Sequence, residues 1–431
     1  MTPAARISAA IEILTDLDLR KRPASEALRD WGLSHRFAGS GDRAALASLV
    51  YDTMRKRNSS SWIMGSDTPR SVMLCALRDI RGLSVEGIQN LCGQDRFAPE
   101  PLTDNERERL TNGTTDGAPT HIIANYPEWL EPALVHAFGD AREAELKAMC
   151  MRAPMDLRVN TLKAIRPAAI AALSHFHPEP TPHSPIGLRV PARADGRSPS
   201  IQVEPAFLKG LIEIQDEGSQ LVSLMSGAQA GEQILDLCAG GGGKALALAA
   251  ITNNKGQIFA ADNDARRLAP IHDRLTRAGV RNVQVRTPQG KSMAIDDLNG
   301  KMDMVLVDAP CTGTGTWRRN ADAKWRIRPG SLDARLKDQR DVLDLAAKSV
   351  RVGGRLVYIT CSLLPEENGD QIKGFINGAH DFAVVSPADV AAKAGLPQLA
   401  QYTDVSGLGL LLTPHRIGTD GFFISILTRQ S

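Results

Sequence analysis

The stretch from Gly231 to Ala250, GEQILDLCAGGGGKALALAA, constrains this chain more than any other. Ile234–Leu235–Asp236–Leu237–Cys238 is a short apolar run with one carboxylate, and four glycines and a Lys-Ala-Leu series follow it. That order predicts a strand, a tight glycine turn and a helix start. Glycines allow close backbone approach to a ligand, and the first helical turn offers unpaired N–H groups. A second predicted strand, Gln257–Asp262, ends on an acid 26 residues after Asp236, a placement suited to a ribose diol. The unit reads as the nucleoside-binding half of a doubly wound α/β sheet. Gly240-x-Gly242-x-x-Ala245 also satisfies the dinucleotide fingerprint, which keeps a nicotinamide-dependent dehydrogenase open at this point. A phosphate-binding P-loop fits poorly, because Lys244 is followed by Ala245 rather than Ser or Thr.

The 431 residues suffice for two or three domains, and 42% hydrophobic content supports a large core. A net charge of +2 says nothing about partners. Its distribution says more: Arg20–Lys21–Arg22, Arg55–Lys56–Arg57, and Arg318–Arg319 with Lys324 and Arg326 form basic clusters, either solvated faces or nucleic-acid contacts. The six cysteines form no CxxC pair and no zinc spacing, so no metal is expected. The amphipathic N-terminus is not a secretory leader, and no run reaches the roughly 18 apolar residues of a membrane span. A soluble, cytoplasmic, monomeric protein with reduced thiols is expected.

Residues 1–115 read as all-helical, with Ser40 or Asp42 as the N-cap of a helix after Gly39. Pro101–Gly117 reads as a linker. Residues 120–210 read as a small α+β segment, with helices from Tyr126 to Met151 and a strand at Leu157–Thr161. Within it His177–Ser200 is a Pro-rich loop or a short-stranded patch, and its histidines are loop residues rather than ligands. From 211 to 431 strands alternate with helices: Gln233–Leu237, Gln257–Asp262, Asn282–Arg286, Met302–Asp308, Arg355–Thr360, Phe382–Ser386 and Phe422–Leu427. That is the signature of a seven-stranded, mostly parallel sheet with helices on both faces.

In such sheets ligands lie beyond the carboxyl ends of the strands. Those ends deliver Cys238 to Lys244, then Asp262, then Asp308–Ala309–Pro310–Cys311, then Cys361–Ser362 with Glu366–Glu367–Asn368 shortly after. Cys75, Cys92 and Cys150, on helical stretches, read as small buried hydrophobes, and Cys238 as packing beside the ligand. Cys311 and Cys361 differ, because side chains at strand ends face the pocket. A hydride-transfer enzyme has no general need for two thiols there.

LCAGGGGK (237–244), DAPCTGTG (308–315), RRNADAKWR (318–326), TCSLLPEEN (360–368) and TDGFF (419–423), with RVNTLK (158–163) and DEGSQL (216–221) upstream, resemble the RsmB/Nop2/Sun-type RNA (cytosine-5) methyltransferases. The resemblance covers residues 120–431. The helical N-terminal part looks like the NusB-like RNA-binding domain of the bacterial RsmB proteins, through RFAGSGDRAAL (36–46). It implies a Rossmann-like class I methyltransferase fold, S-adenosylmethionine as methyl donor and cytosine in RNA, most simply 16S ribosomal RNA, as acceptor. Transfer RNA is the nearest alternative substrate, and an RNA-binding assembly factor the alternative outside catalysis.

By motif the resemblance makes Cys361 the nucleophile toward C6 of the base. Asp308 lies at the base edge and against the cofactor, and Cys311 assists proton removal and release. Asp262 would hold the cofactor ribose, and Cys238, Ala239, Gly240, Gly241, Gly242, Gly243 and Lys244 would wrap its methionine end. Trp317 and Trp325 are candidates for RNA stacking or for core packing. Two departures stand out: Gly241 takes the place of a usual proline, and Pro288 the place of an acid expected near the adenine.

Overall fold

The computed structural model describes residues 1–191, 199–290 and 292–430. The part of the His177–Ser200 segment at 192–198 therefore lies outside the described residues. The first 115 residues are helical, from Pro3–Arg20 through Asp104–Asn112. Two local expectations change. The helix Ser40–Arg55 is capped by Gly39 rather than by Ser40 or Asp42; Ser40 is its first residue, and Asp42 instead receives the N-terminal ammonium and Arg6. The segment expected to be a linker contains the helix Asp104–Asn112, started by a reciprocal capping box between Thr103 and Glu106 and anchored by buried Leu110. One apolar residue in a polar run gives no visible period, and only the cap betrays the helix.

A small antiparallel sheet follows. Its strands are β1 (Met155–Val159), β2 (Glu179–Pro180), β3 (Gly187–Val190) and β4 (Ile212–Ile214), in the order β2-β3-β1-β4. Leu157, Val159, Leu188 and Ile212 bury its inner face against Ala169 and Leu173 of the crossing helix.

The large sheet contains β5 (Gln233–Leu237), β6 (Gln257–Ala261), β7 (Val283–Arg286), β8 (Met302–Asp308), β9 (Val350–Thr360), β10 (Phe382–Val384), β11 (Leu410–Leu412) and β12 (Phe422–Arg429). Seven of them run β10-β12-β9-β8-β5-β6-β7, and β11 is an eighth, pairing beside Phe422–Ile424 of β12. Three residues among turn formers are too few to announce β11 in sequence. The β5, β6, β7, β8 and β9 pairings are parallel, whereas β12 runs antiparallel to β9. The central strands are buried on both faces. Leu235 and Leu237 pack toward Tyr126, Leu134 and Leu343, while Ile234 packs toward Leu221 and Leu248. From β5 the chain winds outward one way through β6 and β7, and from β8 the other way through β9. The crevice at this reversal, beyond the strands' carboxyl ends, is where a doubly wound sheet takes its ligand.

The helical unit is fastened to this sheet. Ala321 and Trp325 belong to the apolar core of residues 1–110. Arg55 Nη1 donates to the Arg318 carbonyl at 2.6 Å, and Trp325 Nε1 donates to the Met54 carbonyl at 2.7 Å.

Candidate active site

The glycine loop is built by conformations a side chain would spoil. Gly240 and Gly242 have φ of +49° and +80°, and a Cβ on Gly242 would stand 2.5 Å from Ile271 Cγ1. Gly242 caps the helix Gly243–Ile251, whose KALALAA run is strongly helix-forming. The first-turn amides of that helix have no partner within it, which leaves donors at the edge of the crevice. Cys238, at φ +107°, is the one non-glycine residue of the loop in the left-handed half of the map. Its amide is tied to the Ala261 carbonyl at 2.9 Å, and burial, with Asp262 nearby, pushes its thiol well up.

Asp262, just past β6, is buried. It accepts from the amides of Gly240 and Asp264 at 3.0 Å, and the half-exposed Arg267 guanidinium lies 3.3 Å away. A rigid carboxylate, a glycine cradle and free helix-start amides fit a nucleoside cofactor with a diol and a carboxylate tail. The buried ammonium of Lys244 pairs with Asp308 Oδ2 at 2.5 Å. Beneath them Asp236 is fully buried, its oxygens without a well-formed hydrogen bond among the described residues, and burial together with the Asp308 charge pushes its pKa up to about 7.

The two strand-end cysteines meet. Cys311 Sγ and Cys361 Sγ are 3.4 Å apart, and both are half-buried. The hydrogen bond to Cys361, then burial, raises the Cys311 pKa well above that of a free thiol. The spacing is set from below by Glu367, which is buried. Its carboxylate accepts from the Thr312 amide at 2.8 Å, from Gln339 at 3.0 Å, from Ser362 Oγ at 2.5 Å and from the Thr312 hydroxyl. Thr312 adjoins Cys311 and Ser362 adjoins Cys361, so one carboxylate holds both cysteine loops. Asn368 adds a second tie, accepting from Thr360 Oγ at 2.5 Å and donating to the Ser362 carbonyl at 2.9 Å. The sequence displays Glu367 and Asn368 after the strand end, but nothing local distinguishes a buried strut from a solvated acid.

Most of the basic segment 318–326 is tied up within the chain. Arg318 and Arg319 are clasped by Asp216 and Asp420, with Arg319 Nη2 to Asp216 at 2.7 Å and Arg318 Nη2 to Asp216 at 3.0 Å. Lys324 is 1% exposed and donates to the Arg55 carbonyl at 3.0 Å. Trp317 is 1% exposed in the sheet's core, and Trp325 is partly buried in the helical one. Both tryptophans pack in apolar cores, and Arg318, Arg319 and Lys324 are engaged in contacts within the chain. Arg55 is buried as well, and Arg57 is paired with Asp18 at 2.7 Å. Pro288 lies in the turn after β7, where no side chain among residues 287–290 carries a charge.

The profile of the 16S rRNA methyltransferase RsmB/F family matches residues 224–428, and that of the ferredoxin-like domain of the RsmF/B-like methyltransferases matches residues 126–195. The ribosomal RNA small subunit methyltransferase B of Sodalis glossinidius is 33% identical over 342 residues, spanning 78% of this chain and 70% of that protein. The probable ribosomal RNA small subunit methyltransferase B of Synechocystis is 31% identical over 306 residues, 71% of this chain and 67% of that one. A methyltransferase homolog protein from Pyrococcus horikoshii superposes with a TM-score of 0.58 at 29% identity, covering 72% of this chain and 98% of that one. The paired thiols, the glycine cradle and these similarities agree: the chain belongs to the RsmB/F family and is an S-adenosylmethionine-dependent RNA methyltransferase.

Proposed function

We propose that this enzyme methylates C5 of a cytosine in 16S ribosomal RNA through a transient bond from Cys361 to C6 of the base. The observation that carries this reading is the 3.4 Å approach of Cys311 and Cys361, with the Lys244–Asp308 pair in the same crevice. C5 of cytosine is a poor nucleophile. Addition of the Cys361 thiolate to C6 turns the C5=C6 bond into an electron-rich enamine, splitting one hard step into easier ones. Bound S-adenosylmethionine supplies an electrophilic methyl group. Cys361 gives its proton to bulk water to reach the attacking thiolate form, and Asp308 meets the polar edge of the base. Lys244, 2.5 Å behind one Asp308 oxygen, brings the positive charge that offsets build-up at N3. After transfer C5 carries both hydrogen and methyl. Cys311, deprotonated to the thiolate before this step, takes the C5 proton onto sulfur, the electron pair reforms the C5=C6 bond, and Cys361 leaves as thiolate. The base must leave its stack to reach the crevice.

Small-subunit rRNA incubated with labelled S-adenosylmethionine and wild type, Cys361→Ala or Cys311→Ala tests this on a denaturing gel. Cys311→Ala alone should accumulate a labelled protein–RNA adduct, and Cys361→Ala should transfer nothing. Trapping by Cys361→Ala instead would reverse the two roles. Normal turnover by Cys361→Ala refutes covalent catalysis through that thiol.

A further inference from the structure

Four consecutive glycines make a loop with no side chains to hold it, and glycine loses more backbone freedom on ordering than any other residue. Something outside the loop must fix its shape. Arg274 Nη1 donates to the Gly241 carbonyl at 2.5 Å, and its Nη2 pairs with Glu213 at 3.4 Å. Glu213 belongs to β4 of the small sheet and also takes Arg277 at 2.7 Å. The helix carrying both arginines, Ile271–Ala278, is clamped onto that sheet at its carboxyl end. Asn160 Nδ2 donates to the Ala278 carbonyl at 2.8 Å, and Lys163 Nζ to the Arg277 carbonyl at 2.6 Å. Beside it Gln215 reaches toward the Gly243 carbonyl at 3.5 Å and receives Arg158 Nε at 2.6 Å. Gly241 itself is outside the left-handed region that Gly240 and Gly242 occupy. A Cβ there would meet only Arg274 Nη1, at 3.0 Å.

We propose that Arg274 is a positioning residue for S-adenosylmethionine: anchored by Glu213 on the small sheet, it fixes the Gly240–Gly243 loop through the Gly241 carbonyl. The inference rests on reading residues 238–244 as the cofactor loop. It makes the small sheet a structural part of the cofactor site, adding to the hold that Asp262 has on the Gly240 amide. Removing the guanidinium frees Gly241 and removes the one atom a Cβ there would meet among the described residues, so a proline could restrict the loop from within.

The test compares wild type, Arg274→Ala, Arg274→Lys and the double variant Arg274→Ala/Gly241→Pro by calorimetric titration with S-adenosylmethionine and by amide exchange in the cofactor-free protein. Loss of one charge-assisted hydrogen bond predicts about tenfold weaker binding by Arg274→Ala. KM for the cofactor should rise by the same factor, with kcat at saturation within about twofold. Amides 240–244 should exchange faster in that variant. Arg274→Lys, keeping one donor and the Glu213 charge pair, should bind between the two, and the double variant should recover most of the lost affinity. Binding by Arg274→Ala within twofold of wild type, or unchanged loop exchange, overturns the proposal, as does a double variant no tighter than Arg274→Ala. A wild type that binds no S-adenosylmethionine would instead overturn the cofactor-loop reading on which the proposal rests.

Discussion

Asp236→Asn should stabilise the protein at pH 8 and leave it unchanged near pH 4. Asp236 is completely buried and Asp308 adds a like charge, which together lift its pKa from 3.8 to about 7. A carboxyl whose native pKa is raised costs stability where the unfolded chain has ionised and the folded one resists. The penalty is absent below about pH 4, grows between pH 4 and 7, and is full above 7. At 1.36 kcal/mol per pKa unit the whole penalty is about 4 kcal/mol. Asparagine has the same shape and never ionises, so it removes the pH-dependent part alone. If the large sheet unfolds as one unit of roughly 200 residues, that corresponds to an upward shift of about 8–10 °C in Tm. The assay is differential scanning calorimetry of both cofactor-free proteins from pH 4 to 8, reading the difference in Tm. A difference that does not change with pH would refute the reasoning, because it would mean that Asp236 ionises in the native state at its ordinary pH.

Glu367→Gln should release the tie between the Cys311 and Cys361 loops and lower turnover by about tenfold to a hundredfold. Because the Glu367 charge helps raise the Cys311 pKa, the pH–rate profile should also move to lower pH; an unmoved profile would deny the electrostatic link. Gly242→Ala forces a Cβ to 2.5 Å from Ile271 at φ +80° and should cost about 2 kcal/mol in chemical denaturation, with cofactor binding lost in parallel. Lys324→Met should leave the Arg55 carbonyl unpaired, cost about 2 kcal/mol and bring forward the melting of the helical unit. The same variant should leave the salt dependence of RNA binding unchanged, whereas a flatter slope would return the segment to direct RNA contact.

What sequence alone determined is the part written locally. Buried parallel strands are continuous apolar runs, so QILDL, QIFAA and MDMVLVD announce β5, β6 and β8, and the residues after them announce the pocket. Four glycines before a helix-forming run announce a tight turn, though not what holds it, and two cysteines at strand ends point into the same crevice in any doubly wound sheet. Tertiary structure decided whatever depends on partners distant in the chain. Arg318 reads as a basic-patch residue until Asp216 and Asp420, each 102 residues away, close on it. Lys324 reads as solvated until the helical unit, 269 residues earlier, supplies a carbonyl to its ammonium. Glu367 is one of two adjacent acids in sequence, and only the loop 55 residues before it makes one of them the strut beneath both thiols. Apolar periodicity records which face of an element is buried. It does not record the pairing of polar groups across elements, because a charge in a buried joint and a charge in water are the same letter until the fold supplies or withholds its partner.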